Sequence, residues 1–322
     1  MRQINRFVAV FLITLFSGLG LAHAADYPTR PIKWIVPYPP GGTTDVLARL
    51  MAQSLSEKLG QQVIVENKPG AGNNIGTESV INATPDGYTM LLVNPANGIN
   101  ATLYKNLNFN FVRDIAPVAG IVRTPNVMVV SNNVPAKTVA EFLAYCKANP
   151  GKVNMASSGS GTSVHLSGEL FKYMTGCNMV HVPYKGAGPA LIDLTAGQVQ
   201  VLFDNLPSSV PHIKNGRIRA LAVTSEKAEP SMPELPTVGA TVKGYEATAW
   251  FGIGMPKGTP PEAINRVNAA VNATLAEPAM RARLADLGGV PIPGTPADFG
   301  KVIVAETEKW AKVINDSGVK LD

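Results

Sequence analysis

Two loops rich in glycine and hydroxyl residues each lie between an apolar run and a helical pattern. They are PPGGTT, residues 39–44, and SSGSGTS, residues 157–163. Glycine at a helix start lets the backbone approach a ligand closely, and free N–H groups there attract anions. A nucleotide phosphate loop needs Gly-Lys-Ser/Thr or the G-x-G-x-x-G pattern, and neither loop has one. The loops therefore predict binding of smaller anions, such as carboxylates.

Three other polar residues could contribute chemistry. His165 lies just inside the second predicted helix, where it either orients the loop and ligand or simply caps its own loop. His181 lies in an apolar strand and is typical of a packed histidine. Asp204 ends another apolar run, where side chains of an open α/β sheet point into a cleft, although a turn aspartate fits equally well.

Neither catalysis nor metal binding is indicated by these residues. A secreted hydrolase that uses His165 and a nearby serine is an alternative hypothesis, but the G-x-S-x-G elbow is absent from the sequence. No group of cysteine, histidine and acidic residues has metal-ligand spacing. We therefore expect no catalytic residue, no metal and no cofactor.

Alternating strand and helix patterns position the two loops. The predicted strands are residues 32–37, 63–66, 88–93, 126–131, 153–156, 179–182, 199–203 and 218–223. The predicted helices are residues 44–59, 73–83, 138–148, 163–174, 187–195, 261–275, 278–287 and 296–317. This order is typical of open α/β sheets covered by helices. The strand-like segments 118–130 and 246–255 predict two crossings between two lobes.

The first 24 residues have the features of a secretory signal peptide. Arg2 and Arg6 precede an apolar stretch, and Ala22-His23-Ala24 matches a cleavage site. The apolar stretch is shorter than the ~20 residues that a membrane-spanning helix needs. We expect cleavage after Ala24 and an exported chain long enough for two domains.

Composition and charge exclude some classes of function. Hydrophobic residues make up 45% and charged residues 16%, which is ordinary for a globular protein. Without Arg2 and Arg6, the net charge falls from +5 to +3, and the basic residues are scattered. Nucleic-acid binding is therefore not expected. Cys146 and Cys177 could form a disulfide in an oxidising compartment, and two separate buried thiols fit equally well.

Six stretches carry a resemblance to a known family. They are YPTRPIKWIVPYPPGGTTDVLAR, VENKPGAGNNIGTESV, ATPDGYTMLL, SSGSGTSVHLSGELFK, MVHVPYKGAGPALIDLTAGQVQVLFDN and FGIGMPKGTP. In this order they resemble the substrate-binding receptors of tripartite tricarboxylate transporters, the Bug family. The resemblance implies a two-lobed α/β periplasmic binding protein of type II topology, with mixed, mostly parallel sheets and a double-crossing hinge. Lobe 1 would comprise residues 25–122 and 247–322, and lobe 2 residues 123–246.

The resemblance also implies which residues bind the ligand, largely through backbone N–H groups and water. From the two loops these are Pro40, Gly41, Gly42, Thr43, Asp45, Ser158, Gly161, Thr162, Ser163 and His165. Other cleft segments supply Tyr184, Lys185, Gly186 and Asp204, and the cavity wall supplies Tyr38, Asn94, Trp250 and Phe251.

The implied function is capture of a small organic carboxylate in the periplasm. A monomeric receptor would deliver it to the membrane permease subunits of a tripartite tricarboxylate transporter. An alternative is a receptor that presents its ligand to a signalling kinase. The motifs predict the chemical group that is held, whereas the identity of the molecule does not follow from them.

Overall fold

The computed structural model describes residues 27–317 and 319–320. The expected signal peptide, residues 1–24, lies outside the described residues. Within the described part of the chain, no helix is both long enough and apolar enough to span a bilayer.

Strands and helices alternate along most of the chain. The strands are β1 (Ile32–Val36), β2 (Val63–Asn67), β3 (Thr89–Val93), β4 (Ile115–Val130), β5 (Val153–Ser157), β6 (Met179–Pro183), β7 (Val201–Asn205), β8 (Arg219–Val223), β9 (Thr248–Pro256) and β10 (Val290–Pro291). The helices are α1 (Thr43–Leu59), α2 (Asn74–Ile81), α3 (Pro95–Leu103), α4 (Phe111–Asp114), α5 (Val139–Ala148), α6 (Ser163–Thr175), α7 (Ala187–Ala196), α8 (Leu206–Lys214), α9 (Val238–Thr241), α10 (Pro261–Ala276), α11 (Pro278–Asp286) and α12 (Pro296–Ser317). A 3₁₀ turn spans Ala71–Asn73.

The sheet has the strand order β2-β1-β3-β9-β4-β7-β5-β6, and β8 and β10 also pair with β4. The pairs among β1, β2 and β3 are parallel, as are those among β5, β6 and β7. We call these two groups, with the helices that follow their strands, the first half and the second half of the fold. The predicted α/β class with a mixed sheet is confirmed. The sheet is not mostly parallel, because the five pairings that involve β4 or β9 are antiparallel and the other four are parallel.

Strands β4 and β9 connect the two halves. Residues 115–125 of β4 pair antiparallel with β9, which itself pairs with β3 of the first half. Residues 126–130 of β4 pair with β7 of the second half. The chain therefore crosses between the halves at the two segments that the sequence predicts.

Each half has its own apolar core. Helix α1 buries Leu47, Met51 and Leu55 at four-residue spacing against Trp34 of β1. In the second half, a core of large side chains packs under β5 and β7, among them Met128, Phe142, Phe171, Phe203 and Tyr245. This amphipathic periodicity is why the longer elements could be predicted from sequence.

The C-terminal helix α12 contributes to both cores. Phe299 and Ile303 pack against Trp250 of β9, whereas Trp310 and Ile314 pack into the core of the second half. The helix thus spans the junction between the halves. The division into residues 25–122 plus 247–322 and residues 123–246 stays a prediction.

Four helices were not predicted: the one-turn helices α4 and α9 and the longer helices α3 and α8. The two longer ones explain why. Their sequences, PANGINATL and LPSSVPHIK, contain proline, glycine and asparagine, which favour turns in the absence of other information. In both helices a proline occupies the first or second position, where its missing N–H costs no hydrogen bond. Both N-termini face the junction between the halves.

Candidate functional site

A small cavity of about 20 Å³ lies at the junction of the two halves. Its lining consists of loop residues, helix-start residues and a strand residue: Tyr38, Gly42, Thr43, Thr44, Asn94, Pro95, Ser158, Thr162, Ser163, Ala187, Asn205 and Phe251. Among the described residues, the lining includes no lysine, arginine, aspartate or glutamate. Any charge held there must be balanced by dipoles and hydrogen bonds rather than by a counter-ion.

Five helix starts meet at this cavity. The lining includes the first residue, the N-cap residue or both from α1, α3, α6, α7 and α8. Each helix N-terminus carries a partial positive charge of about half an elementary charge and exposes N–H groups without helical partners. Their convergence makes the cavity favourable for an anion without a basic side chain.

The five helix starts differ in whether a side chain already occupies their N–H groups. Asn94 caps α3 by accepting from the N–H of Ala96, and Thr162 caps α6 by accepting from the N–H of His165. The N-cap residues of α1 and α7 are Gly42 and Gly186, and in the described structure neither helix has a side-chain cap. Among the described residues, the N-cap Asn205 of α8 makes no side-chain cap either, but the N–H of Ser208 in α8 donates to Oγ1 of Thr43. The starts of α1 and α7 are therefore the ones most open to an external acceptor.

The two glycine loops share one local geometry. Gly41 has φ +88° and donates its N–H to Asp45, with 3.1 Å between the atoms. Gly161 has φ +81° and donates its N–H to Nδ1 of His165 at 3.3 Å. In each loop, the side chain four residues after the glycine accepts its N–H and so fixes the turn. This turn places the N-terminus of the following helix at the cavity. Glycine is required at both positions because side chains rarely adopt this positive φ.

Asp45 acts as the support of the first loop. Burial alone would raise the pKa of its carboxyl group, but hydrogen bonds from Arg49, Asn67 and the N–H of Gly41 outweigh burial and lower that pKa. The carboxylate is thus ionised and fully engaged in holding the loop. Its charge is balanced by Arg49, at 3.0 Å.

His165 supports the second loop from a buried position. Its ring stacks on that of His181, with 3.9 Å between the centroids, and His181 lies 2.7 Å from the hydroxyl of Ser157. Burial, followed by the charges of His181 and Lys172, lowers the pKa of His165 to about 3. The ring is therefore neutral at physiological pH, which suits Nδ1 as the acceptor for Gly161.

This buried histidine predicts a specific pH dependence of stability. An unfolded chain binds a proton at His165 near pH 6.5, whereas the folded chain binds it only near pH 3. Between these values the unfolded state holds more protons, so stability falls as the pH is lowered, by about 1.4 kcal/mol per pH unit for one proton. His165→Gln should flatten the curve of unfolding free energy measured from pH 7 to pH 4.

A matched control for that measurement is His212→Gln. His212 is half-buried, and its pKa is lowered by burial and by Arg217. Its replacement should change the slope less than replacement of the buried His165. Parallel curves for wild type and His165→Gln would contradict the assignment of the pH dependence to His165.

Asn94 presents an unsatisfied donor at the cavity. Its Oδ1 atom accepts from the N–H of Ala96 at 3.1 Å, and Oη of Tyr38 lies 3.5 Å away. Within the described structure, its Nδ2 atom is buried and has no hydrogen-bond partner. A buried donor without a partner costs about 1–3 kcal/mol, so an acceptor bound in the cavity would relieve that cost.

Comparison with known proteins shows the family. Residues 47–319 match the model of the tripartite tricarboxylate transporter family receptor. The chain belongs to this family. The family is one of receptors, so the protein is a solute-binding receptor and not an enzyme.

Three solved structures share the fold of this receptor. R. palustris Rpa4515 with adipate is 39% identical with a TM-score of 0.89, over 91% of this chain and 99% of that one. The periplasmic binding protein BugD is 34% identical with a TM-score of 0.88, over 91% and 99%. MatC (Rpa3494) from Rhodopseudomonas palustris, with bound malate, is 30% identical with a TM-score of 0.85, over 89% and 100%. The expected family and its fold are thereby confirmed.

Eight of the eighteen residues predicted from the sequence line the cavity. These are Tyr38, Gly42, Thr43, Asn94, Ser158, Thr162, Ser163 and the hinge residue Phe251. Tyr184 and Lys185 line a neighbouring cavity of about 210 Å³, which shares Tyr38 and Ser158 with the first. That these residues bind a ligand stays a prediction.

The other predicted residues lie outside the lining. Pro40 and Gly41 are exposed, whereas Asp45, Gly161, His165 and Asp204 are buried in the walls behind it. Gly186 is the N-cap of α7, and Trp250 packs against Phe299 in the core. The sequence resemblance implies that Gly41 and Gly161 donate their N–H groups to the ligand. In the structure, both N–H groups already donate to acceptors within the protein, Asp45 and His165.

Four lining residues are not among the predicted binding residues: Thr44, Pro95, Ala187 and Asn205. Each directly follows a predicted residue in the sequence and lies at a helix start, as the N-cap, first or second residue. Pro95 would have been found had α3 been recognised, since Asn-Pro at a helix start is a common cap and first position.

Proposed function

We propose that this receptor captures a small organic dicarboxylate in the cavity between the halves. The proposal rests on the N-terminus of α1 at Gly42, where no described side chain caps the first N–H groups of the helix. The described lining of the cavity around it has no charged side chain. A carboxylate can occupy the place of the missing cap and accept the first-turn N–H groups. Backbone N–H groups bind the carboxylate of any small acid. The other residues of the cavity lining select the size and shape of the rest of the ligand.

A second carboxylate of the ligand could bind at a second helix N-terminus without a side-chain cap, that of α7. The α7 start follows Gly186 and reaches the cavity at Ala187, and it too lacks a side-chain cap in the described structure. The cavity of about 20 Å³ has room for about one water molecule, so the two halves must move apart to admit a dicarboxylate. Adipate in Rpa4515 and malate in MatC are both dicarboxylates.

Among the described lining residues, Asn94 alone has a buried side-chain donor without a partner. Its Nδ2 atom would donate to a carboxylate or hydroxyl oxygen, whereas an ammonium group has no lone pair with which to accept this hydrogen bond. The Tyr38 hydroxyl lies beside it, and burial raises the pKa of Tyr38, so this hydroxyl also stays protonated and neutral. The wall therefore favours acceptor-rich, anionic ligands.

Delivery to a membrane permease of the tripartite tricarboxylate type, from the periplasm, is the second part of the proposal. It is supported by membership of a transporter receptor family and by the expected signal peptide. Cell fractionation should find the chain, cleaved after Ala24, in the periplasmic fraction. Recovery of the uncleaved chain in the cytoplasm would contradict this part.

The test of the ligand class is a thermal-shift series on the mature protein. Succinate, malate, glutarate, adipate and suberate should be compared with hexanoate and 1,6-hexanediol, which remove one or both carboxylates. A ligand at 100 times its Kd stabilises the fold by about 2.7 kcal/mol, or a Tm rise of roughly 5–10 °C. We expect such a rise for at least one dicarboxylate and none for hexanediol. Equal shifts with adipate and hexanoate would contradict a two-carboxylate site.

A further inference from the structure

The buried carboxylate of Asp204 has no place in the cavity lining, yet it is linked to the cavity by a chain of hydroxyl groups. Ser208 donates its hydroxyl to Oδ2 of Asp204 at 2.6 Å, and Thr43 donates its hydroxyl to Oγ of Ser208 at 3.0 Å. The N–H of Ser208 donates back to Oγ1 of Thr43 at 3.2 Å. Two hydrogen bonds therefore join Thr43 of the first half to Ser208 of the second.

These groups are shielded from water. Asp204 is fully buried, and Thr43 and Ser208 are 3% and 4% exposed. Burying a carboxylate is costly unless hydrogen bonds compensate it, and within the described structure Oδ1 of Asp204 has no partner. Oδ2 instead accepts from the hydroxyls of both Ser208 and Ser209. Because Ser208 gives its proton to a carboxylate, its oxygen is a stronger acceptor for Thr43.

The surrounding backbone brings the two halves close at the same place. A Cβ atom at Gly186 would lie 2.7 Å from Cδ of Pro39, and one at Gly188 would lie 3.0 Å from the carbonyl oxygen of Pro40. The start of α1 can therefore reach Ser208 only when the two halves are together. Contact between Thr43 and Ser208 reports closure of the cavity.

We propose that Asp204, acting through Ser208, is a latch that draws the Thr43 hydroxyl across the junction and holds the two halves closed. In this role Asp204 is a positioning residue and touches no ligand. It differs from the direct ligand contact that the sequence resemblance implies for this position. The latch stabilises closure whether or not a ligand is bound, so the proposal does not rest on the ligand class.

The experiment measures the ratio of closed to open molecules in the ligand-free protein by single-molecule energy transfer. Dyes attached through unnatural amino acids at Ile64 and Ile192, which are 47% and 67% exposed and lie on opposite halves, leave the cysteines untouched. Loss of a charge-assisted hydrogen bond in Ser208→Ala should lower the ratio about tenfold. Thr43→Val, which removes both bonds, should lower it at least as much, and the double variant no further.

Ser209→Ala is the matched control, because it also removes a hydroxyl donor to Asp204, but the hydrogen bond that it removes lies within the second half. It should leave the ratio unchanged. Asp204→Asn, which keeps the shape and removes the charge, should lower the ratio several-fold in the wild-type background and not in Thr43→Val. Circular dichroism of each variant checks that it is folded.

Three results would overturn the latch. They are additive effects of Ser208→Ala and Thr43→Val, an effect of Ser209→Ala equal to that of Ser208→Ala, and an Asp204→Asn effect that persists in Thr43→Val. A wild-type protein found wholly open without ligand would also overturn it.

Discussion

Replacement of Gly42 by aspartate is expected to abolish dicarboxylate binding and to leave the ligand-free protein at least as stable as the wild type. Gly42 is the N-cap of α1, with φ −86° and ψ 169°, a conformation that any residue can adopt. A Cβ atom there would make an ordinary contact of 3.6 Å with Ala187. Aspartate is among the preferred N-cap residues, so its carboxylate would take the N–H groups that the ligand needs.

The expected size of this effect follows from charge repulsion. Two like charges about 4 Å apart repel by about 4 kcal/mol at an effective dielectric constant of about 20. Loss of even two thirds of that amount raises the Kd at least about 100-fold. Titration calorimetry with whichever dicarboxylate gives the largest thermal shift measures the change, and adipate is the first to try. The ligand-free Tm should stay level or rise slightly, because an N-cap aspartate is a few tenths of a kcal/mol better than glycine.

Gly42→Asn separates charge from size in this experiment. Asparagine has the same shape and caps equally well, but it brings no charge. It should weaken binding clearly less than aspartate does. If Gly42→Asp binds adipate as tightly as the wild type, the carboxylate does not lie at the start of α1. If both variants lose binding equally, filling of the cavity and not repulsion explains the loss.

Much of the fold could be predicted because its signals are local. Leu47, Met51 and Leu55 recur at helical spacing, and Gly60 ends α1 with φ +71°, as a helix-terminating glycine does. The apolar runs of β1 and β3 are likewise continuous in sequence. Helices α3 and α8 lacked such signals, since tertiary packing and not local preference makes PANGINATL and LPSSVPHIK helical.

The site could be predicted in part, for the same reason. Glycine loops before helices are visible in the sequence, and they do meet at the cavity through Gly42 and Thr162. Which N–H groups are free could not be predicted, because that depends on Asp45 and His165 turning back onto their own loops. The bonds of Ser208 with Thr43 and Asp204 were equally hidden, since Thr43 lies 165 residues away in sequence.

The sequence alone leaves open whether the two cysteines form a disulfide or are separate buried thiols. The structure joins Cys146 and Cys177 by a disulfide, with 5.9 Å between their Cα atoms. The bond links the last turn of α5 to Cys177, two residues after the end of α6, and is buried in the core of the second half. Spacing alone could not show this, because the pairing depends on how α5 and α6 pack.

Loss of this disulfide is expected to lower the stability of the fold substantially and to leave ligand binding intact. The bond closes a loop with a sequence separation of 31 residues. Loop-closure entropy of the unfolded chain then gives a stabilisation of about 4 kcal/mol, which corresponds to a Tm lower by roughly 8 °C or more in the variant. Both cysteines lie at the ends of α5 and α6 that are remote from the cavity, since α6 reaches the cavity with its first residues.

The variants Cys146→Ala, Cys177→Ala and the double replacement distinguish the cross-link from simple packing. Each of the three breaks the same bond, so all three should lose nearly the same free energy in urea unfolding. If the two side chains instead stabilised the core independently by packing, the losses of the single variants would add in the double variant. Equal unfolding midpoints for wild type and double variant would show that the cross-link does not stabilise the fold. The cavity should still give the wild-type thermal shift with its dicarboxylate, because the starts of α1 and α7 are unchanged.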